Sequence, residues 1–262
     1  LETDIPYRCV CNDAYSKERC TLDVQYQEGA KDLPVVVFFH GGGMTQGEKY
    51  IPDPLNECGY VIVTPNYRLL PRAEKIDTCI DDAAAAVAWV FRNIEQYGGD
   101  PGKIIVTGHS AGGYLTNMVV LDKQWLAKYA IDADDIKAAA PLSGQVITHF
   151  SLRAQRGMKA TQPLVDEYAP LFHVRGDAPT YFVIAGDPEG AAEATLMASQ
   201  NTEVQEFAAS LYSKSLFFSN YRPMAPDRSR KAAQRYESLL PDVTVFPHTK
   251  PRSAEKRLRI GY

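Results

Sequence analysis

The sequence predicts an α/β fold in which a mostly parallel sheet is covered by helices. Short, wholly apolar runs recur along the chain, helix-length segments separate them, and glycine-rich turns follow several of the runs directly. An apolar run of about four to eight residues is too short for a helix and suits a strand covered on both faces.

The elements follow in order. Residues 5–10 and 21–26 read as two strands of a hairpin-like edge. Pro34-Val-Val-Val-Phe-Phe39 is a buried strand running straight into His40-Gly41-Gly42-Gly43, and residues 60–65 form a second. A long helix is expected over about residues 76–97, with Val87, Val90, Phe91 and Ile94 at helical spacing. Gly98-Gly99-Asp100-Pro101 stops it. Residues 103–107 form a third buried strand, which ends in Gly108-His109-Ser110-Ala111-Gly112, and a helix over about residues 113–121 leaves that turn. Residues 136–142 are a further strand. The irregular stretch 143–179, with Phe150, Tyr168 and Phe172, is long for a connection and is expected to be a lid or cap insertion. Residues 180–185 resume the sheet, helices are expected at 191–215 and 228–240, and residues 242–246 form the last strand, just before His248. No repeat or linker marks a boundary, so residues 1–262 read as one domain.

Composition narrows the classes of function. The chain has 262 residues, 45% hydrophobic and 23% charged, values of an ordinary globular protein with a sizeable core. A net charge of -4 argues against a basic nucleic-acid-binding surface. Lys250, Arg252, Lys256, Arg257 and Arg259 make a short basic end, read as solvated. No apolar run approaches the roughly 20 residues of a membrane span. Because the chain opens at Leu1 rather than Met, removal of an upstream segment is expected, and a signal peptide there would make the protein secreted or periplasmic. The five cysteines, Cys9, Cys11, Cys20, Cys58 and Cys79, are an odd set and form no disulfide framework. Cys9, Cys11 and Cys20 lack the further ligands of a zinc site and read as small hydrophobes. No cofactor or metal is expected, and oligomeric state is left open.

The chemistry concentrates in two turns. Gly108-His109-Ser110-Ala111-Gly112 lies between a strand and a helix, where flanking glycines let the chain bend sharply and present Ser110 as a nucleophile. The following helix points its positive end toward that hydroxyl. Acyl transfer also needs pre-aimed amides around a tetrahedral oxyanion, and the amides of Gly42, Gly43 and Ala111 are assigned this role. His40 is read as orienting the loop rather than acting as a base.

His40-Gly-Gly-Gly43, Asn66-Tyr-Arg-Leu69, Tyr97-Gly-Gly-Asp-Pro-Gly-Lys-Ile104 and Gly108-His-Ser-Ala-Gly112 together resemble the hormone-sensitive-lipase-like esterases. They are equally similar to the bacterial carbohydrate esterases of acetyl-xylan and feruloyl type. The likeness runs from about Leu33 to Gly186. It implies an α/β-hydrolase fold with about eight strands, no cofactor, and hydrolysis of short-chain carboxylic esters, acetyl or feruloyl groups on carbohydrate among them. In that family the triad acid falls three residues after a glycine like Gly186, which selects Glu189, with Asp187 as the alternative. Chain order in the fold leaves His248 as the base. The sequence after Gly190 departs from the family, lacking its Gly-x-x-His-Gly-like loop. A second expectation is therefore a catalytically impaired binding protein with an incomplete triad. A serine peptidase of this fold would need a further large domain, for which the chain has no room. His149 and His173 read as wall or surface residues.

Overall fold

The computed structural model describes residues 1–8, 13–56, 58–159 and 162–182. Seven strands form one sheet in the order β1-β2-β4-β3-β5-β6-β7. β1 (Glu2–Pro6) pairs antiparallel with β2 (Thr21–Gln25), and β2 pairs antiparallel with β4 (Val61–Pro65). From β4 onward every pairing is parallel, through β3 (Leu33–Phe39), β5 (Gly99–His109), β6 (Ala138–Leu142) and β7 (Thr180–Tyr181).

The expected apolar runs occupy the centre of this sheet. Val35 to Phe39 and Val61 to Val63 are all buried, as a parallel strand covered on both faces must be. The long helix α2 (Ile76–Asn93) joins β4 to β5, and its last turn tightens into a 3-10 helix at Ile94–Tyr97 that ends at Gly98, with φ +79. The alanine run 83–86 is buried, and small side chains let this helix lie close to its neighbours. Helix α3 (Ala111–Leu121) joins β5 to β6 and packs against α2. All eleven of its residues are buried, so it is enclosed on every side rather than amphipathic.

Several expectations are corrected. The two edge strands do pair, but β1 lies earlier than residues 5–10, and a six-residue helix, α1 (Ala14–Arg19), stands between them. Asp13 caps it by accepting from the Tyr15 and Ser16 amides. Helix α3 starts at Ala111, immediately after Ser110. A short helix, α4 (Gln124–Ala127), follows it. The stretch 143–179 is not irregular throughout: it holds α5 (Phe150–Gln155) and a 3-10 turn at Pro170–His173. Asp166 pins this stretch, accepting from the Thr148 hydroxyl at 2.6 Å and the Tyr168 amide at 3.0 Å, and pairing with Arg156. The expected helices 191–215 and 228–240 and the strand 242–246 lie outside the described residues.

Candidate active site

Ser110 sits at the carboxyl end of β5, in the sharp turn into α3, with φ +55 and ψ -113. A non-glycine residue in such a conformation costs on the order of 1–3 kcal/mol and persists only when its surroundings enforce it. The enforcement is visible. The Ser110 amide donates to the Leu142 carbonyl at 2.8 Å, and its carbonyl accepts from the Tyr114 amide at 3.0 Å. Glycine is obligatory at 112, because a β-carbon there would lie 2.0 Å from the Phe39 carbonyl oxygen. The crossing of α3 over the end of β3 is what brings the two turns together. Ser110 itself is partly exposed, so a substrate can reach it.

The loop after β3 lies alongside. A β-carbon on Gly41 would be 3.4 Å from the Ser110 β-carbon, so the chain at Gly41 runs directly beside the serine. Gly42, with φ +111, has no room for a side chain, since a β-carbon would meet the Gln46 carbonyl oxygen at 2.0 Å. Its carbonyl accepts from both the Thr45 and Gln46 amides at 3.1 Å, closing the loop on itself. Among the described residues, the amides of Gly42 and Gly43 have no protein acceptor. Such free donors, beside a reachable hydroxyl, suit a developing negative charge.

His40 is packed into the protein beneath the loop rather than exposed. Its ring is buried and stacks on Tyr67 with centroids 4.4 Å apart and planes 10° from parallel. Nδ1 lies 2.7 Å from the Gly41 carbonyl, which can only accept, so that nitrogen carries the proton. Burial is the main reason its pKa is pushed down to about 4, and the nearby Arg19 charge adds to the effect. His40 is a neutral strut.

Several residues around this loop were given no role by the sequence, although Asn66, Tyr67 and Arg68 lie in a motif shared with the esterases. Asn66 accepts from the Lys49 amide at 2.6 Å, and the Tyr67 hydroxyl donates to the His40 carbonyl at 2.9 Å. Arg68 grips the fully buried Asp82 of α2 through Nε at 2.8 Å and a terminal nitrogen at 2.7 Å. The Asn66-Tyr-Arg-Leu69 motif thus joins the loop to α2. From the other side, the Ser151 hydroxyl donates to the Gly43 carbonyl at 2.6 Å, and the Phe150 ring lies over Gly43.

Residues 22–203 match the family described as BD-FAE. The chain belongs to the BD-FAE family. Two solved structures share the fold of this BD-FAE chain. A truncated form of a carbohydrate esterase from gut microbiota superposes with a TM-score of 0.62 at 18% identity, covering 79% of this chain and 83% of that one. Thermogutta terrifontis esterase 2 phosphonylated by sarin gives 0.57 at 22% identity, covering 79% of each chain. The fold is that of the α/β-hydrolases. The probable carboxylic ester hydrolase LipM of Mycobacterium tuberculosis is 33% identical over 175 residues, 58% of this chain. The chain spans 40% of LipM's length.

Of the site residues expected in this BD-FAE chain, Ser110, Gly42, Gly43 and Ala111 are brought into one place. Glu189, Asp187 and His248 lie outside the described residues. Of the two readings for His149, wall or surface, the structure excludes the surface one. His149 is buried, caps α5 by accepting from the Ser151 amide at 3.2 Å, and lies between the Tyr114 and Phe150 rings. His173 bonds the Glu167 carbonyl at 2.8 Å and faces Asp122. Tyr114 is core, with its hydroxyl on the Tyr168 carbonyl, whereas Phe150 is 40% exposed. Among the described residues no helix is long and apolar enough to cross a membrane.

Proposed function

We propose that this chain is a carboxylic ester hydrolase that works through an acyl-enzyme on Ser110. The observation that carries this is the strained, partly exposed serine beside the Gly41–Gly43 backbone, whose amides at Gly42 and Gly43 have no acceptor among the described residues. Ser110 Oγ attacks the ester carbonyl while His248 takes its proton, and Glu189, or alternatively Asp187, orients the imidazole. The amides of Gly42, Gly43 and Ala111 hold the tetrahedral oxyanion. Collapse expels the alcohol with the proton from His248, and water, activated by the same base, then releases the acid. LipM's name, a probable carboxylic ester hydrolase, supports the chemistry.

The substrate we propose is a short-chain ester, with acetyl or feruloyl groups on carbohydrate as the favoured class. Support comes from the carbohydrate esterase among the structural neighbours and from the exposed Phe150 ring over Gly43, a flat apolar surface beside the loop. Stretch 143–179 would then be a wall of the substrate cleft. The test is turnover of p-nitrophenyl acetate by the protein and by Ser110→Ala. A fall of at least about a thousandfold in kcat is expected. Unchanged turnover in the variant refutes the assignment, and no turnover by either protein favours the catalytically impaired, ligand-binding alternative.

A further inference from the structure

Arg19 is the last residue of α1, far in the sequence from both reactive turns, yet its side chain ends beneath the glycine loop. Its guanidinium is buried, a placement that costs several kcal/mol unless its donors are satisfied. The donors fan out in three directions. Nε donates to the Tyr67 carbonyl at 3.1 Å, one terminal nitrogen pairs with Glu48, and the other donates to the Gly47 carbonyl at 2.9 Å. That last nitrogen also lies 3.4 Å from Asn66 Oδ1 and 3.5 Å from His40 Nε2.

The partners fix both ends of the loop. Gly47 packs so closely on the loop's start that a β-carbon on it would be 2.5 Å from the Gly41 carbonyl oxygen and from His40 Nδ1. Holding the Gly47 carbonyl therefore holds the peptide that leads into Gly42. The Tyr67 carbonyl is held by the same guanidinium, and Tyr67 in turn stacks on His40 and bonds its carbonyl. Only a planar fork reaches these groups at once, whereas an ammonium donates from a single point. No step of ester hydrolysis uses Arg19 directly.

We propose that Arg19 is a positioning residue that aims the Gly42 and Gly43 amides at the oxyanion. The inference rests on the ester-hydrolase reading of the site. Misaimed donors weaken transition-state binding and leave ground-state binding almost untouched, so the effect falls on kcat rather than KM.

The test compares the wild-type chain with Arg19→Met and Arg19→Lys. For each, kcat and KM for p-nitrophenyl acetate are measured per fluorophosphonate-titrated site, with Ki for a trifluoromethyl ketone and the thermal midpoint. For Arg19→Met, kcat should fall about 10- to 100-fold with KM within about threefold, and Ki should rise by the factor lost in kcat/KM. Arg19→Lys should fall between. If Arg19→Met does not fold, Arg19→Lys and Tyr67→Phe carry the test and should show the same split at smaller size. A folded variant with wild-type kcat per titrated site, or a loss confined to KM, overturns the proposal. A wild-type chain that neither hydrolyses the ester nor takes the label overturns the reading of the site instead, and this inference with it.

Discussion

Two regions meet at Ser110, and they are built in different ways. The parallel sheet and the turn at Ser110 are held by backbone: strand ladders, the Ser110 amide on Leu142, and glycines packed against carbonyls, with side chains bracing only the glycine loop beside them. Stretch 143–179 adds to its backbone bonds, such as the Thr148 amide on Leu164 and the Leu171 amide on Val146, side chains that cap and pin it: His149 on the Ser151 amide, Asp166 on Thr148 and Tyr168, and Gln145 on the Phe150 amide at 3.1 Å. Backbone geometry breaks all at once, whereas side-chain caps loosen one at a time.

The largest effect is therefore expected at Gly112. Gly112→Ala places a methyl group 2.0 Å from the Phe39 carbonyl and 2.8 Å from that of His40, forcing α3 away from β3. A loss of more than about 3 kcal/mol is expected, read as a collapse of the thermal midpoint.

Acid should act next, through the two buried imidazoles. Burial pushes the pKa of His149 down to about 3, with the Arg153 charge as a second cause, and that of His40 down to about 4. The unfolded chain binds protons at these residues near pH 6.5, and the folded chain does not until pH 3–4. Their contribution is thus fully present above pH 6.5 and is lost as pH falls toward 4 and 3. Each adds a slope of up to about 1.4 kcal/mol per pH unit in that window. Urea midpoints from pH 7 to 4 should show it, and His149→Asn, which keeps a capping oxygen, should flatten it. An unchanged slope would mean that His149 is not buried as a neutral cap.

The smallest effect belongs to a single pin. Ser151→Ala removes the hydroxyl from the Gly43 carbonyl and should cost about 1–2 kcal/mol in denaturant unfolding, with kcat lowered several-fold. A loss as large as that of Gly112→Ala would erase the distinction between the two regions.

The same distinction explains what the sequence revealed. The strand at Leu33–Phe39 and the turn at Ser110 were legible because apolar runs and flanking glycines dictate backbone directly. Helix α1 was missed although Asp13 is an ordinary cap, since six residues give no helical period to read. Helix α5 was missed because its cap is a histidine, which carries no such signal. The brace beneath the loop was invisible for another reason. Arg19, Glu48 and Tyr67 are dispersed along the chain, and only the fold makes them neighbours.

Incubation with a fluorophosphonate, followed by digestion and mass analysis of the peptide that carries Ser110, asks most directly whether this hydroxyl is activated. One adduct on Ser110, lost in Ser110→Ala, is expected. An unmodified Ser110 in folded protein, at reagent levels that label an active serine hydrolase, would contradict the account.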